Sequence, residues 1–256
     1  MMTTSLFQYQ FIAASRVDIG AKRSSNQDQI MCCPEYGFFA VSDGMGGLHS
    51  GGETSVMIAR TLPGLIGQAY EQLRENPVPE KAAELLREQT RLISDNIYET
   101  MNRNGKFAYG ATLCGVWLVG DDAVFVNFGD SRGYLLEAYK QHILPVTKDH
   151  NLAAELVANG ALSRDEARLH RSSSILTRFV GMEAPALPET FIVKLEPGDR
   201  ILICSDGLHG MVEEKRLPGL LRSVQTPARV VKRLIDEANL AGGRDNISAV
   251  YIKIMF

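Results

Sequence analysis

Apolar positions along this chain fall into two rhythms, and their order predicts the fold. Continuous runs of large or β-branched residues at 38–41, 113–119, 123–128 and 201–204 read as buried strands, with shorter strand material at 30–33, 134–136 and 191–194. Phe7, Tyr9 and Phe11 alternate with Gln8 and Gln10 as a half-buried strand would, and 247–254 alternates as a final strand. The second rhythm is helical. After Gly52, the residues Val56, Ala59, Leu65, Ile66 and Ala69 recur near helical spacing, with Pro63 expected to kink or break the run. The stretch 79–101 is the clearest helix, carrying Leu86, Ile93, Ile97 and Met101 on one stripe and ending at Asn104-Gly105. Further helical character lies at 152–159, closed by Gly160, and Ser163-Arg164-Asp165-Glu166 matches a capping box. The last helix has Thr226 as N-cap, Pro227 at its first position and Val230, Val231, Leu234, Ile235 and Ala238 on its inner face. Gly120-Asp121-Asp122 reads as a strand-to-strand turn, 18–28 as a polar loop, and 170–188, with two prolines, as a surface flap. Strands and helices are grouped rather than strictly alternating, which favours a largely antiparallel α+β domain over a doubly wound one.

Composition narrows the class. At 256 residues the chain can bury a full core, and no linker or low-complexity tract divides it. Its formal net charge of −3 gives no electrostatic reason to expect nucleic acid as a partner. Cys32, Cys33, Cys114 and Cys204 lack CxxC spacing and read as reduced thiols rather than a disulfide or zinc framework. The first charged residue is Arg16, so the start lacks the basic region of a signal peptide, and no apolar run approaches membrane-spanning length. A soluble, cytoplasmic, membrane-free protein is the expectation.

The chemistry lies where the apolar runs end. One run finishes in Ser42-Asp43-Gly44-Met45-Gly46-Gly47, a second in Ser205-Asp206-Gly207 and a third in Gly129-Asp130-Ser131, while a fourth acid stands in Gly242-Gly243-Arg244-Asp245-Asn246. Asp-Gly after a strand is also an ordinary turn signal. Four acid-bearing strand ends, two of them nearly identical, instead suggest acids converging on metal ions. Oxygen ligands without histidine in the motifs suit hard divalent cations, magnesium or manganese. Ionised carboxylates a few ångströms apart repel by about 4 kcal/mol per pair at an effective dielectric near 20, so such a cluster calls for cations. Two ions sharing Asp43 and a bridging water would suit hydrolysis of a phosphate ester. Arg23, close to Asn26-Gln27-Asp28, could grip two phosphate oxygens through its planar guanidinium or be a solvated loop residue. Gly129-Asp130-Ser131-Arg132-Gly133 is a literal GxSxG, but a nucleophile elbow needs a helix next and Tyr134-Leu135-Leu136 continues as a strand. Gly44-Met45-Gly46-Gly47 lacks the Lys-Ser/Thr of a nucleotide loop.

These motifs resemble the PPM-type (type 2C) metal-dependent serine/threonine protein phosphatases in their compact bacterial form. The likeness extends through Gly20…Arg23…Asn26-Gln27-Asp28, Tyr109-Gly110-Ala111-Thr112, Thr147-Lys148-Asp149-His150, Asn159-Gly160-Ala161-Leu162 and Leu176-Thr177-Arg178, besides the acid motifs. It implies one catalytic domain over 1–256: a central β-sandwich of two antiparallel sheets flanked by helices, with a flap subdomain at about 149–188. It further implies that Asp43 bridges two Mn2+ or Mg2+ ions, that the Gly44 carbonyl binds one, and that Asp206 and Asp245 complete the other site. Asp130 with Asp206 would hold a third, weaker ion; Asp28 would orient water on the metals, and Arg23 would hold the phosphoryl group. The implied reaction is direct attack by metal-activated water on phosphoserine or phosphothreonine of protein substrates, by a monomer opposing a serine/threonine kinase. Other readings are a catalytically silent phospho-binding relative and a small-molecule phosphomonoesterase. The chain departs from the family pattern at Gln27, where many members have Glu, and at Ala111, where Thr is common. Met45 takes the position of a proposed general-acid His in animal members, which leaves metal-bound water or His49 for that role, and 48–53 carries one extra residue.

Overall fold

A computed structural model describes residues 6–45, 50–102, 109–183, 185–222 and 226–255. In chain order the elements are β1 (Phe11–Asp18), β2 (Asp28–Cys33), β3 (Phe38–Met45), α1 (Ser50–Leu73), α2 (Pro79–Ile97), β4 (Gly110–Ala111), β5 (Leu113–Val119), β6 (Asp122–Phe128), β7 (Arg132–Leu136) and β8 (Leu144–Pro145). They continue with α3 (Leu152–Ala158), α4 (Arg164–Leu169), β9 (Glu189–Lys194), β10 (Arg200–Cys204), α5 (Asp206–His209), α6 (Leu217–Arg222), α7 (Pro227–Leu240) and β11 (Ile247–Ile254). One sheet has the order β1-β11-β10-β7-β8, the other β2-β3-β5-β6-β9 with β4 paired to β3, and every ladder is antiparallel. The expected sandwich of two antiparallel sheets flanked by helices is the architecture observed.

Three apolar layers explain the continuous strand runs. In β3, Val41 and Phe39 meet Val116, Phe125, Ile203 and Val250 between the sheets. Their alternate neighbours Phe38 and Ala40 pack outward with Trp117 against Ile58, Leu62 and Ile66 of α1 and Leu86 of α2. On the opposite side, Val230, Leu234 and Ile235 of α7 cover Leu202, Cys204, Ala249 and Tyr251. A strand buried on both faces has no polar side to alternate with, so it appears in sequence as an unbroken apolar run. β11, the expected final strand, shows the same physics: lying between β1 and β10, it is buried on both faces despite the alternation in its sequence.

Several expected boundaries shift. The first strand begins at Phe11 rather than spanning 7–11, and Phe7 makes only an isolated bridge to Gly120. β1 is an edge strand with many exposed positions, so its sequence carries little apolar periodicity. Pro63 does not break α1, which runs on to Leu73 because Ile58, Leu62, Ile66, Ala69 and Leu73 seat it against the sheet. α2 stops at Ile97, and a π-helical turn, Tyr98–Asn102, replaces the end of the expected helix. The expected stop Asn104-Gly105 lies outside the described residues. Thr226 flanks α7 without a side-chain cap, while Pro227 holds the first turn and the Ser163–Glu166 capping box forms as expected.

The segment 149–188 leaves the sandwich after β8, forms α3, α4 and a 3-10 turn, Arg171–Ser174, and returns through bridges Asn151↔Leu176 and Ala111↔Val180. Val180 is fully buried, so the returning arm is anchored in the core.

Candidate metal and phosphate site

The strand ends bring the acids to one end of the sandwich. Asp28 opens β2 opposite Asp43 near the end of β3. Asp206 starts α5 directly after β10, Asp130 follows β6, and Asp245 precedes β11. Hydrogen bonds then tie the two sheets together across this end. Asp28 Oδ2 accepts from Ser205 Oγ at 2.8 Å and Ser248 Oγ at 2.6 Å, joining β2 to the start of α5 and to β11. Thr112 performs the same service for Asp43: its hydroxyl accepts the Asp43 N–H at 3.0 Å, its own N–H donates to the Asp43 carbonyl at 2.8 Å, and its Oγ1 lies 2.7 Å from Ser131 Oγ beside Asp130.

The electrostatics of this end are those of acids held against their repulsion. Asp43 is pushed well above the usual carboxylate range, first by burial and then by Asp28, Asp206, Asp130 and Asp245. Burial and the charges of Asp245 and Asp28 raise Asp206 to about 6. Burial also raises Asp130, with Asp206 and Asp149 adding repulsion, and raises Asp28 against the opposing pull of its two serine hydroxyls. Oδ1 of Asp28 and Oδ1 of Asp206 are buried with no donor reaching them while the acids are ionised, although the Asp43 carboxyl is placed to share a proton with either. Buried, unpaired anionic oxygen is what a hard cation would satisfy, so these residues fit the ions that the resemblance implies. Among the described residues no three His, Cys, Asp or Glu side chains are grouped so that they could by themselves hold one metal ion. Magnesium-type sites are usually built from one or two carboxylates with several waters, so an open cluster suits them.

Arg23 lies on the loop 19–27, half-exposed at 51%, and its Nη2 pairs with Asp245 Oδ2 at 2.6 Å. The loop is clamped by Asn246, whose amide is satisfied on both ends: Oδ1 accepts from the Gln27 N–H at 2.8 Å, and Nδ2 donates to the Ile19 and Ser25 carbonyls at 2.9 Å each. Asn246, Ser205, Ser248 and Thr112 are supporting residues whose roles the motifs do not reveal. A signal was available in the repeated Ser-Asp-Gly. In each copy the serine, one residue before the acid, is buried: Ser42 Oγ donates to the Thr112 carbonyl and Ser205 Oγ to Asp28.

The GxSxG serine is no nucleophile. Ser131 is fully buried with its hydroxyl engaged by Thr112, and β7 follows it as a strand. Gly46, Gly47, Leu48 and His49 lie outside the described residues. Gly44, whose N–H donates to the Gln27 carbonyl at 3.2 Å, packs so closely on α1 that a Cβ would collide with the Gly51 carbonyl. Gly44→Ala is therefore expected to lower stability by about 3 kcal/mol, as overpacking against backbone does, in chemical denaturation. An unchanged midpoint would show that the contact relaxes freely.

Four layers with acids gathered at one end of the sandwich are the framework of a metal-dependent phosphatase. The sequence model of the protein phosphatase 2C family matches residues 20–242, and the chain belongs to that family. It is an enzyme of the serine/threonine protein phosphatase class. A serine/threonine phosphatase (stp) of Listeria monocytogenes is 34% identical over 218 residues, covering 83% of this chain and 82% of the relative. The serine/threonine phosphatase of S. agalactiae superposes with a TM-score of 0.82 at 28% identity, covering 96% of this chain and all of that one. The catalytic domain of the phosphatase PstP, solved with two manganese ions, matches at a TM-score of 0.74 and 26% identity over 96% of this chain and 99% of that one.

Proposed function

We propose that this enzyme hydrolyses phosphoserine and phosphothreonine esters of proteins at the acid cluster, with Asp43, the Gly44 carbonyl, Asp206 and Asp245 holding two Mn2+ or Mg2+ ions and Asp130 a third, weaker one. The supporting observation is the crowding of Asp43 by four other carboxylates, together with the two unpartnered buried oxygens of Asp28 and Asp206. When bound, such ions supply positive charge to the phosphoryl oxygens and make water a nucleophile near neutral pH. The chain's own residues orient the participants. Asp28, fixed by Ser205 and Ser248, presents its free Oδ1 toward the cluster as an acceptor for a proton of the attacking water. Arg23, exposed at the rim beside Asp245, grips the phosphoryl oxygens. The flap at about 149–188 closes one side and influences which phosphoprotein enters. Four free thiols accord with a reducing, cytoplasmic setting, and no helix among the described residues is long and apolar enough to cross a membrane. The enzyme acts as a monomer opposite a serine/threonine kinase.

The test is hydrolysis of phosphoserine and phosphothreonine peptides with Mn2+, Mg2+ or chelator present. Turnover with metal and none with chelator is expected, and equal rates in chelator would overturn the reading. Arg23→Ala should raise KM about tenfold or more while kcat changes less, as loss of a charged phosphate contact demands. An unchanged KM would remove Arg23 from phosphate binding.

A further inference from the structure

His150 belongs to none of the acid motifs, yet it holds the residue that precedes Asp130 by both of its backbone groups. The Gly129 N–H donates to His150 Nδ1 at 3.2 Å, and the Gly129 carbonyl accepts the His150 N–H at 2.9 Å. Asn127 Nδ2 reinforces the same carbonyl at 3.1 Å. Gly129 has φ +128°, and a Cβ there would come 2.7 Å from the Thr112 side chain, so its conformation is one that only glycine adopts readily and that external bonds must hold. The Asp130 carbonyl is pinned separately, 2.9 Å from His209 Nε2.

The acceptor role fixes the tautomer. A neutral ring that accepts at Nδ1 carries its proton on Nε2. That Nε2 is buried, without a hydrogen bond, and faces Glu189 Oε1 at 3.7 Å. Glu189 is in turn paired with Arg178 at 2.7 Å, and the His150 carbonyl accepts the Thr177 N–H at 2.9 Å. Thr177 and Arg178 lie on the returning arm of the flap. His150 is therefore bonded through its backbone to the flap and through its ring and backbone to the turn that carries Asp130.

We infer that His150 is a positioning residue: by holding Gly129 it aims the Asp130 carboxylate and so sets the affinity of the weaker ion proposed there. It touches neither substrate nor metal. The inference rests on the proposed role of Asp130, and two separate readouts distinguish their failures.

Two variants separate the bond from the bulk. His150→Asn keeps an acceptor near the place of Nδ1, whereas His150→Phe keeps a ring against Phe128 and removes the acceptor. Backbone amide exchange at Gly129, followed by NMR, reads the bond. Disappearance of the free Mn2+ electron-spin signal on titration into protein reads ion binding without turnover. Expected in His150→Phe are a Gly129 amide that loses protection and a weakest-site affinity lowered about tenfold or more, the scale of an outer partner of a metal ligand, with the tighter sites unchanged. His150→Asn should restore both. If His150→Phe does not fold, His150→Gln replaces it, since its amide falls near Nε2 and leaves Gly129 unbonded. The inference is overturned if Gly129 loses protection while the weakest ion binds as in the wild type, or if the Asn variant behaves like the acceptor-free one. A wild type that binds no ion weaker than the first two, its Gly129 amide still protected by His150, would instead refute the Asp130 assignment.

Discussion

Asp43→Asn should lower phosphopeptide hydrolysis at saturating Mn2+ by about a thousandfold, the upper end of the scale on which one preorganised group acts. Asn preserves the shape of the side chain and leaves the bonds from Thr112 to the Asp43 backbone intact, so the fold should survive. In chelator, the same variant should be more stable than the wild type at neutral pH. Asp43 lies half-buried among Asp28, Asp206, Asp130 and Asp245, and replacing it by a neutral amide removes repulsion that metal-free protein has no cation to offset. Function and stability thus move in opposite directions at one position. Paired measurements of kcat with metal and of the denaturation midpoint without it test this directly, and a variant that stays active would refute the site.

The second large effect is on metal and pH together. Asp206 titrates near 6 in the folded protein against 3.8 as its ordinary value, so the folded state keeps a proton that the unfolded chain has already released. The Asp206 contribution to the stability of the metal-free protein should therefore fall as pH rises from about 4 to about 6 and level off above that, while Asp43 and Asp130, raised further, continue the fall at higher pH. His150 works the other way: burial lowers it to about 4 from 6.5, so the unfolded chain binds its proton first and stability rises with pH across the same window. Comparison with Asp206→Asn, which leaves His150 in place, isolates the carboxylate. Ions bound at the proposed site would remove the carboxylate penalty. At a thousandfold excess over its dissociation constant, one ion adds about 4 kcal/mol, or roughly 10 °C in Tm for a chain of this size. A melting point indifferent to chelator at pH 7.5 would sink the metal assignment.

Much of this is legible in the sequence, because the information is local. The buried runs in β3, β5, β6 and β10, the capping box at Ser163 and Pro227 at the head of α7 are short-range signals, and each produced the expected element. Edge strand β1 was misread because exposure on much of its length erased its apolar rhythm, and Pro63 because tertiary packing outweighed a local helix breaker. The acids themselves were legible as residue types at strand ends. What the chain alone could not supply was their company. Ser205 and Ser248 reach Asp28 across 177 and 220 residues, and Asn246 reaches the Arg23 loop across 219 or more. The burial that raises Asp43 and Asp206 likewise exists only once the two sheets have closed on each other. Propensity and periodicity act over a few neighbours, so the sequence determined the strands, the helices and the acids at their ends. Hydrogen bonding and charge act through space, so only the folded sandwich decided which hydroxyls hold those acids, how strongly they repel and which ring steadies the turn beside them.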